Sequence, residues 1–289
     1  MITGRPPISS VYLTNVENIP LSLCCIGGLA IVVKYIQCPY DCRFCPWESN
    51  LNIRSARVLD VDQEVFSELL KKYRPDIVFL CGGKPWLYNV SSELASVASN
   101  NGVFVGVKLL TCPVDSDELK LMQSFSKLCD IVLVEVTGCT DIDLAFSLVN
   151  ENVSQGKHVE VVVVGQGIDE VSQIIKDVVH RVLNAKIVLP INILVETSKN
   201  VHQLYKFIDT IRGIYPLIHS LSTPASEFAS ILCPKCLIPV VVRSGTRLIK
   251  MSLDESCRCG YCKNEVVSSC RIICKAKMQI KVPVNIALI

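Results

Sequence analysis

The chain has 289 residues, half of them apolar and 19% charged, with a formal net charge of +2. This composition excludes an intrinsically disordered chain, and the small net charge gives no electrostatic reason to expect a nucleic-acid or membrane partner. Sixteen cysteines is a high number for a chain long enough to bury a sizeable core without disulfide staples. Because no cleavable signal peptide opens the sequence, we expect a cytoplasmic protein whose clustered cysteines bind metal.

The N-terminal segment, residues 1–28, is predicted to form strands of an extension to the core. The uncharged stretch at 19–33 is shorter than the roughly 20 residues that a bilayer requires. Gly27 and Gly28 interrupt this stretch and Lys34 follows it. Two buried β-strands around a turn are therefore favoured over a membrane-spanning helix.

The next segment, residues 29–215, alternates apolar runs with amphipathic stretches. Six near-continuous Val, Ile and Leu runs are typical of parallel strands buried on both faces. These runs lie at 29–37, 76–82, 103–111, 130–136, 159–165 and 186–195. Amphipathic patterns between them predict helices at 61–73, 115–125, 141–153, 169–183 and 198–213. Asp62 is the expected N-cap of the first of these helices, and Asp115 and Glu118 have the spacing of a capping box at the start of the second. The alternation predicts an α/β core, either an open doubly wound sheet or part of a (β/α) barrel, with ligands bound in the loops after the strands.

The loop after the first of these strands contains a C-x3-C-x2-C run, formed by Cys38, Cys42 and Cys45. Three thiolates are an incomplete ligand set for a cubane iron–sulfur cluster, which normally takes four, so one iron would stay open to a small molecule. A structural zinc site with a remote fourth ligand and incidental thiols are the alternatives. The spacing and the position at a strand end favour the cluster.

This loop, CPYDCRFC, resembles the cluster loop of the radical S-adenosylmethionine (radical SAM) superfamily, with Phe44 directly before the last cysteine. The resemblance implies a partial six-stranded (β/α) barrel, a [4Fe–4S] cluster on Cys38, Cys42 and Cys45, and S-adenosylmethionine on the fourth iron. It also implies that an electron donor such as a ferredoxin or flavodoxin drives reductive cleavage of S-adenosylmethionine, giving a 5′-deoxyadenosyl radical that abstracts hydrogen from a substrate. That substrate, a protein glycine as in activating enzymes or a small molecule, stays open.

The turn after the second strand, GGKP, resembles the Gly-Gly-Glu-Pro loop with which the family binds the methionine part of S-adenosylmethionine. Gly82, Gly83 and Pro85 fit that motif, whereas Lys84 stands where the family has glutamate. An ammonium group has only donors and cannot accept a hydrogen bond from another amine. The contact to the amino group must therefore come from elsewhere, or binding of S-adenosylmethionine is altered.

The strand at 130–136 resembles one that ends in an Asp-x-Lys pattern in the activating-enzyme branch. Here Glu135 and Thr137 take those two positions. A carboxylate within an apolar run costs free energy unless it is paired. Glu135 is therefore a candidate for the S-adenosylmethionine site, and a salt bridge to Lys84 or Lys108 is the alternative.

The strand at 159–165 resembles the Arg-Val-x-Val-Val-Pro-Gly strand of the same branch, but its polar residues differ. Glu160 replaces the arginine, and Gly165 and Gln166 replace Pro-Gly. Gln166 and Asn192, assigned to the ends of the fifth and sixth strands, are candidates for contacts with adenine or ribose.

The C-terminal region is divided into a linker at 216–230 and a cysteine-rich module at 231–289. Two C-x2-C pairs about twenty residues apart, joined by a hairpin pattern, are typical of a tetrahedral zinc ribbon. The expected zinc ligands are Cys233, Cys236, Cys259 and Cys262. An auxiliary [4Fe–4S] cluster is the alternative, because thiolate-only sets suit both metals and further cysteines remain at Cys257, Cys270 and Cys274. A ribbon after such a core resembles the AmmeMemoRadiSam enzymes, which are related to pyruvate formate-lyase-activating enzymes.

Two functions follow from these patterns. The first is a radical SAM enzyme, an activating-enzyme-like oxidoreductase. The second is a non-catalytic iron–sulfur or zinc protein on a radical SAM scaffold that binds a partner through the ribbon, which the departures at Lys84, Thr137 and Glu160 favour. Cys81 and Cys139 lie at strand ends that face the expected site, where one of them is a candidate to donate hydrogen or bind substrate.

Overall fold

A computed structural model describes residues 7–36, 38, 58–112, 114–196, 201–221, 226–245, 247–267 and 284–286. Of the three-cysteine loop, Cys38 is placed, whereas Cys42, Phe44 and Cys45 lie outside the described residues. Within those ranges, no helix combines the length and the apolar character needed to cross a membrane.

The strands of the described residues are β1 (Ile8–Asn15), β2 (Leu29–Tyr35), β3 (Ile77–Gly82), β4 (Phe104–Leu110), β5 (Ile131–Val136), β6 (His158–Gly165), β7 (Ile191–Val195), β8 (Ile218–Ser220), β9 (Ile231–Leu232), β10 (Pro239–Ser244), β11 (Arg247–Met251) and β12 (Val284–Asn285). Nine of them form one sheet in the order β12-β1-β2-β3-β4-β5-β6-β7-β8. Strands β2 to β8 are parallel, and β1 and β12 extend the sheet antiparallel beyond β2. A doubly wound sheet reverses its strand order at a switch point, so the unbroken order from β2 to β8 is that of a singly wound, barrel-like core.

The helices are α1 (Gln63–Tyr73), α2 (Asn89–Asn100), α3 (Ser116–Ser126), α4 (Ile142–Ser154), α5 (Ile168–Ala185), α6 (Val201–Arg212) and α7 (Ser226–Ala229). Alternate strand residues point to opposite faces of the sheet. One face, which includes Val78, Val105 and Val132, packs against the helices. The other face, which includes Phe79 and Leu133, packs against the N-terminal segment.

The six predicted strands correspond to β2 to β7. A seventh parallel strand, β8, lies in the segment expected to be a linker, and its three residues are too few to give a periodic signal. Helix α2 was not predicted either, because its sequence NVSSELASVASN contains few large apolar residues. Asp62 and Asp115 are N-caps as expected, each accepting hydrogen bonds from backbone N–H groups of the first helical turn.

The prediction of two strands within 19–33 is wrong in its first half. Residues 19–28 form a buried, irregular segment that crosses the amino-terminal ends of the parallel strands, and we call this segment the floor. Its backbone N–H groups at Ser22 and Leu23 donate to the Glu160 carboxylate instead of to a neighbouring strand. The side-chain amide of Asn192 donates to the carbonyl oxygen of Pro20. Buried backbone groups need partners, and here side chains supply them.

The small C-terminal module contains an antiparallel sheet in the order β11-β10-β9. Val240 and Val241 of β10 belong to the same continuous apolar core as the helix-covered face of the large sheet. Arg243, also on β10 and almost fully buried, donates from Nη2 to the carbonyl oxygen of Ser22 at 2.7 Å. The module is therefore attached to the floor, on the opposite edge of the sheet from Cys38.

Candidate functional site

The candidate site lies at the carboxyl ends of β2 to β5, where the chain leaves β2 and reaches Cys38. Gly82, at the end of β3, has φ of +93°, and a Cβ atom there would overlap the carbonyl oxygen of Tyr35. A Cβ atom on Gly83 would lie 2.5 Å from the carbonyl oxygen of Ile36, and the Gly83 N–H donates to Tyr35 at 2.9 Å. Both glycines are therefore needed for close approach of the backbone that leads to Cys38. Their contact with S-adenosylmethionine stays a prediction.

Lys84 pairs with a carboxylate that the sequence did not assign to this site. Its Nζ atom lies 2.6 Å from Glu118 Oε2, and Trp86 Nε1 donates to Glu118 Oε1 at 3.0 Å. Glu118 lies in the first turn of α3, where its spacing from Asp115 predicted a reciprocal capping box. Asp115 caps the helix, but the Glu118 side chain turns to the GGKP loop instead. A carboxylate thus reaches this loop from another βα unit.

A buried ion pair links β4 and β5. Lys108 Nζ lies 3.3 Å from Glu135 Oε2, and the two side chains are 3% and 5% exposed. Burial acts to lower the pKa of Lys108, but the negative charges of the Glu135 carboxylate and of Cys38 and Cys81 in their thiolate form outweigh burial and raise this pKa. Of the two partners considered for Glu135, the structure therefore selects Lys108. It also brings Cys38 and Cys81 into the electrostatic environment of one buried ammonium group.

A disulfide joins the loops after β4 and β5. Cys112 and Cys139 are bonded, with a Cα–Cα distance of 5.2 Å, and this pairing was not predicted from the sequence. Thr137 Oγ1 lies 3.1 Å from the Cys139 sulfur. Thr137, compared above with a family lysine, is therefore part of the turn that holds Cys139.

The polar residues assigned to the ends of the fifth and sixth predicted strands lie at opposite ends of the sheet. Gln166 follows β6 at its carboxyl end, is exposed, and donates its backbone N–H to Glu170. Asn192 is only the second residue of β7, and its side-chain amide donates to Glu160 and to the floor, so its assignment to a carboxyl strand end is wrong. Glu160 lies in the same network, at the amino-terminal end of β6. Neither Glu160 nor Asn192 is near the candidate site.

The four cysteines predicted as zinc ligands converge in the C-terminal module. The sulfur atoms of Cys233, Cys236, Cys259 and Cys262 all lie within 4.8 Å of one another. Two of the separations are 3.6 Å, for Cys233 to Cys262, and 3.7 Å, for Cys236 to Cys259. Zn–S bonds of about 2.3 Å at tetrahedral angles require sulfur separations of about 3.8 Å. The arrangement fits one tetrahedral metal ion.

The two cysteine turns have the same backbone geometry. Leu237 donates its N–H to Cys233 O, and Lys263 donates its N–H to Cys259 O, both at 2.9 Å. Leu237 and Lys263 have φ of 58° and 60° respectively. In each turn the first cysteine also donates its own N–H five residues on, to Ile238 or Asn264. Two matched turns that face each other are the architecture of a four-thiolate site.

Backbone donors also point at the sulfur atoms. Burial acts to raise the pKa of Cys259, but N–H groups of Cys262 and Tyr261 outweigh burial, and the pKa lies at about 7. Cys257 is disulfide-bonded and is not an open thiol. A cubane would place each thiolate on a different iron and hold the sulfur atoms farther apart than ligands of one ion. The sulfur separations therefore fit a single metal ion better than a cubane cluster.

Comparisons with protein-family models and with curated proteins return no match. Among solved structures, Streptococcus suis SuiB bound to S-adenosylmethionine is similar at 12% identity and a TM-score of 0.45, over 65% of this chain and 48% of that one. SuiB bound to the precursor peptide SuiA gives 12% identity and a TM-score of 0.47, over 71% and 50%. The 3-dehydroquinate dehydratase from Aquifex aeolicus gives 15% identity and a TM-score of 0.40, over 57% and 76%. The chain thus spans about half the length of SuiB, and likenesses at this level support no functional argument.

Proposed function

We propose that the protein is a radical SAM enzyme that holds a [4Fe–4S] cluster on Cys38, Cys42 and Cys45. The observation that supports this most is the position of the C-x3-C-x2-C run, which starts directly after the first strand of a singly wound parallel core. Ligands of such cores bind at the carboxyl ends of the strands. When bound, the cluster would supply the electron for reductive cleavage of S-adenosylmethionine and so a radical for hydrogen abstraction from a substrate.

The described residues fit an anionic iron–sulfur cluster at this position. Cys38 lies near the ammonium group of Lys108, which is 2% exposed and stays charged through its pair with Glu135. A buried cation favours the thiolate form that binds iron. Phe79 and Leu133, which lie on the same face of the sheet as this pair, are fully buried and exclude water from its surroundings.

The GGKP loop has a limited role in this proposal, because its contacts are made to other parts of the chain. Gly82 and Gly83 position the backbone that leads to Cys38, as their contacts with Tyr35 and Ile36 indicate. Lys84 is held by Glu118 and offers no acceptor to an amino group. We expect the amino group of S-adenosylmethionine to be bound by acceptors other than residue 84.

Anaerobic reconstitution with iron and sulfide, followed by dithionite and S-adenosylmethionine, tests the proposal. We expect a cluster absorbance that Cys38→Ala abolishes, and formation of 5′-deoxyadenosine. Cys129→Ala is the matched control, because Cys129 is buried against Phe125 at the end of α3 and should not affect the cluster. Unchanged cluster absorbance in Cys38→Ala would show that the ligand assignment is wrong.

A specific observation supports the second candidate function, a non-catalytic scaffold that binds a partner. Lys84 is paired with Glu118, and Glu160 is committed to the floor, so two positions that differ from the activating-enzyme pattern have local structural partners. A reconstituted protein that retains its cluster but yields no 5′-deoxyadenosine would favour this function. The same assay therefore separates the two candidates.

We further propose that the C-terminal module binds one zinc ion through Cys233, Cys236, Cys259 and Cys262. Metal analysis of the purified protein is expected to give about one zinc per chain, and Cys236→Ser is expected to lose most of it. Cys24→Ser is the control, because Cys24 lies in the floor. Iron and sulfide that are lost from Cys236→Ser in place of zinc would instead identify an auxiliary cluster.

A further inference from the structure

The disulfide between Cys112 and Cys139 lies at the mouth of the candidate site. Lys108 precedes Cys112 by four residues on β4, and Glu135 precedes Cys139 by four residues on β5. The disulfide therefore joins the loops that follow the two strands of the buried ion pair, beyond the carboxyl ends of those strands. Cys38 follows its own strand at the same edge.

The two cysteines differ in their exposure to solvent. Cys112 is 2% exposed, whereas Cys139 lies in an exposed turn. The turn is held independently of the disulfide, because the Asp141 N–H donates to Thr111 O at 3.0 Å and Thr111 Oγ1 donates to Asp141 O at 3.1 Å. Breaking the S–S bond would therefore leave the two thiols close together, in position to form the bond again.

Several other cysteines of the described chain, which include Cys24, Cys25, Cys81 and Cys129, are not disulfide-bonded. Exposed disulfides are in general more easily reduced than buried ones, and they are the ones that act in exchange, regulation or catalysis. A disulfide between a buried and an exposed cysteine, at the edge of the sheet where ligands bind, has the features of such a reactive pair.

We propose that Cys112 and Cys139 form a reversible two-electron redox centre at the mouth of the candidate site, which exchanges with small thiols or dithiols. A thiolate of the reductant attacks the exposed Cys139 sulfur, the S–S bond breaks, and Cys112 leaves as a thiolate that takes up a proton. A second thiolate attacks the mixed disulfide and releases Cys139, which takes up the second proton. Two electrons pass from two reductant thiols, which end as one disulfide. The step requires no cluster and is independent of the function proposed above.

Thiol mapping of the full-length protein tests the proposal. Protein quenched in acid and alkylated under denaturing conditions without reductant should yield a linked peptide pair that contains Cys112 and Cys139. The native protein is then equilibrated with glutathione at several ratios of reduced to oxidised form. We expect both cysteines to change together and reversibly, with unchanged circular dichroism, whereas the buried Cys129 stays reduced throughout.

Single variants test the direction of attack. Cys112→Ser leaves the exposed Cys139, which should form a mixed disulfide with oxidised glutathione at least about tenfold faster than Cys112 does in Cys139→Ser. The wild-type titration remains decisive where a variant fails to fold. Free thiols at both positions in the unreduced protein, reduction only after unfolding, or faster reaction at Cys112 would each overturn the proposal.

Discussion

Glu160 is a buried carboxylate whose replacement by glutamine should destabilise the protein strongly. Five donors surround it at 2.7–2.9 Å: the N–H and hydroxyl of Ser22, the N–H of Leu23, Nε2 of His158 and Nδ2 of Asn192. An amide at this position would direct its own NH₂ group toward some of these donors and would leave them unpaired. Unpaired buried donors each cost about 1–3 kcal/mol.

The pKa of Glu160 gives an independent measure of the same effect. Burial acts to raise this pKa. The hydrogen bond and the charge of His158, together with the hydrogen bonds from Asn192 and Leu23, outweigh burial and lower the pKa to about 2. A fall of this size from the ordinary value corresponds to about 3 kcal/mol of folding free energy. Because the folded-state pKa is the lower one, this stability is present above the unfolded-state pKa of 4.5 and is lost as the pH falls toward 2.

We therefore expect Glu160→Gln to reduce the free energy of unfolding by about 3 kcal/mol or more at pH 7, and Tm by roughly 6–12 °C. Urea denaturation followed by circular dichroism measures the first, and the difference from wild type should shrink as the pH is lowered from 5 toward 2. Glu93→Gln, on the exposed face of α2, is the control and should change stability by less than about 0.5 kcal/mol. A wild-type midpoint for Glu160→Gln would refute the role assigned to this network.

Two further substitutions test the candidate site. Gly82→Ala should destabilise the protein by at least about 2 kcal/mol and reduce iron incorporation, because the methyl group would overlap Tyr35 at a positive φ. Gly102→Ala, at φ of +70° with open space around it, is the control and should cost only about 1 kcal/mol. Equal urea midpoints for the two variants would contradict the steric argument. Lys108→Met should cost about 3–5 kcal/mol because it removes the ammonium group that neutralises the buried Glu135 carboxylate. The double variant with Glu135→Leu should recover part of that loss, and additive effects of the two changes would show that the pair is not coupled.

Local patterns predicted much of the fold. The apolar runs located β2 to β7, and Asp62 and Asp115 marked helix starts, because capping and strand burial depend on residues close together in sequence. The two C-x2-C pairs were found for the same reason, since each turn is a local backbone structure.

The partners of the charged side chains that pair across the fold could not be predicted from the sequence. The partner of Glu135 depends on which of two lysines lies on the adjacent strand, and Glu118 reaches Lys84 only because α3 packs beside the loop after β3. Glu160 was interpreted through a family motif, whereas it binds the floor, 138 residues away along the chain. Residue type alone indicated that these charged groups needed partners, but the identity of the partners follows from the tertiary structure.

The attachment of Arg243 to the floor has a consequence for the order of folding. Arg243 and Ser22 are 221 residues apart, so their hydrogen bond closes a loop of most of the chain. During synthesis, β1 to β8 would emerge before the strand that carries this guanidinium group. The carbonyl oxygen of Ser22 would therefore lack the hydrogen bond from Arg243 until the module has formed. Contacts of such large sequence separation form slowly, and domains otherwise fold from the N-terminus during synthesis. In a nascent chain that ends before β10, the floor would lack the hydrogen bond that Arg243 donates to Ser22.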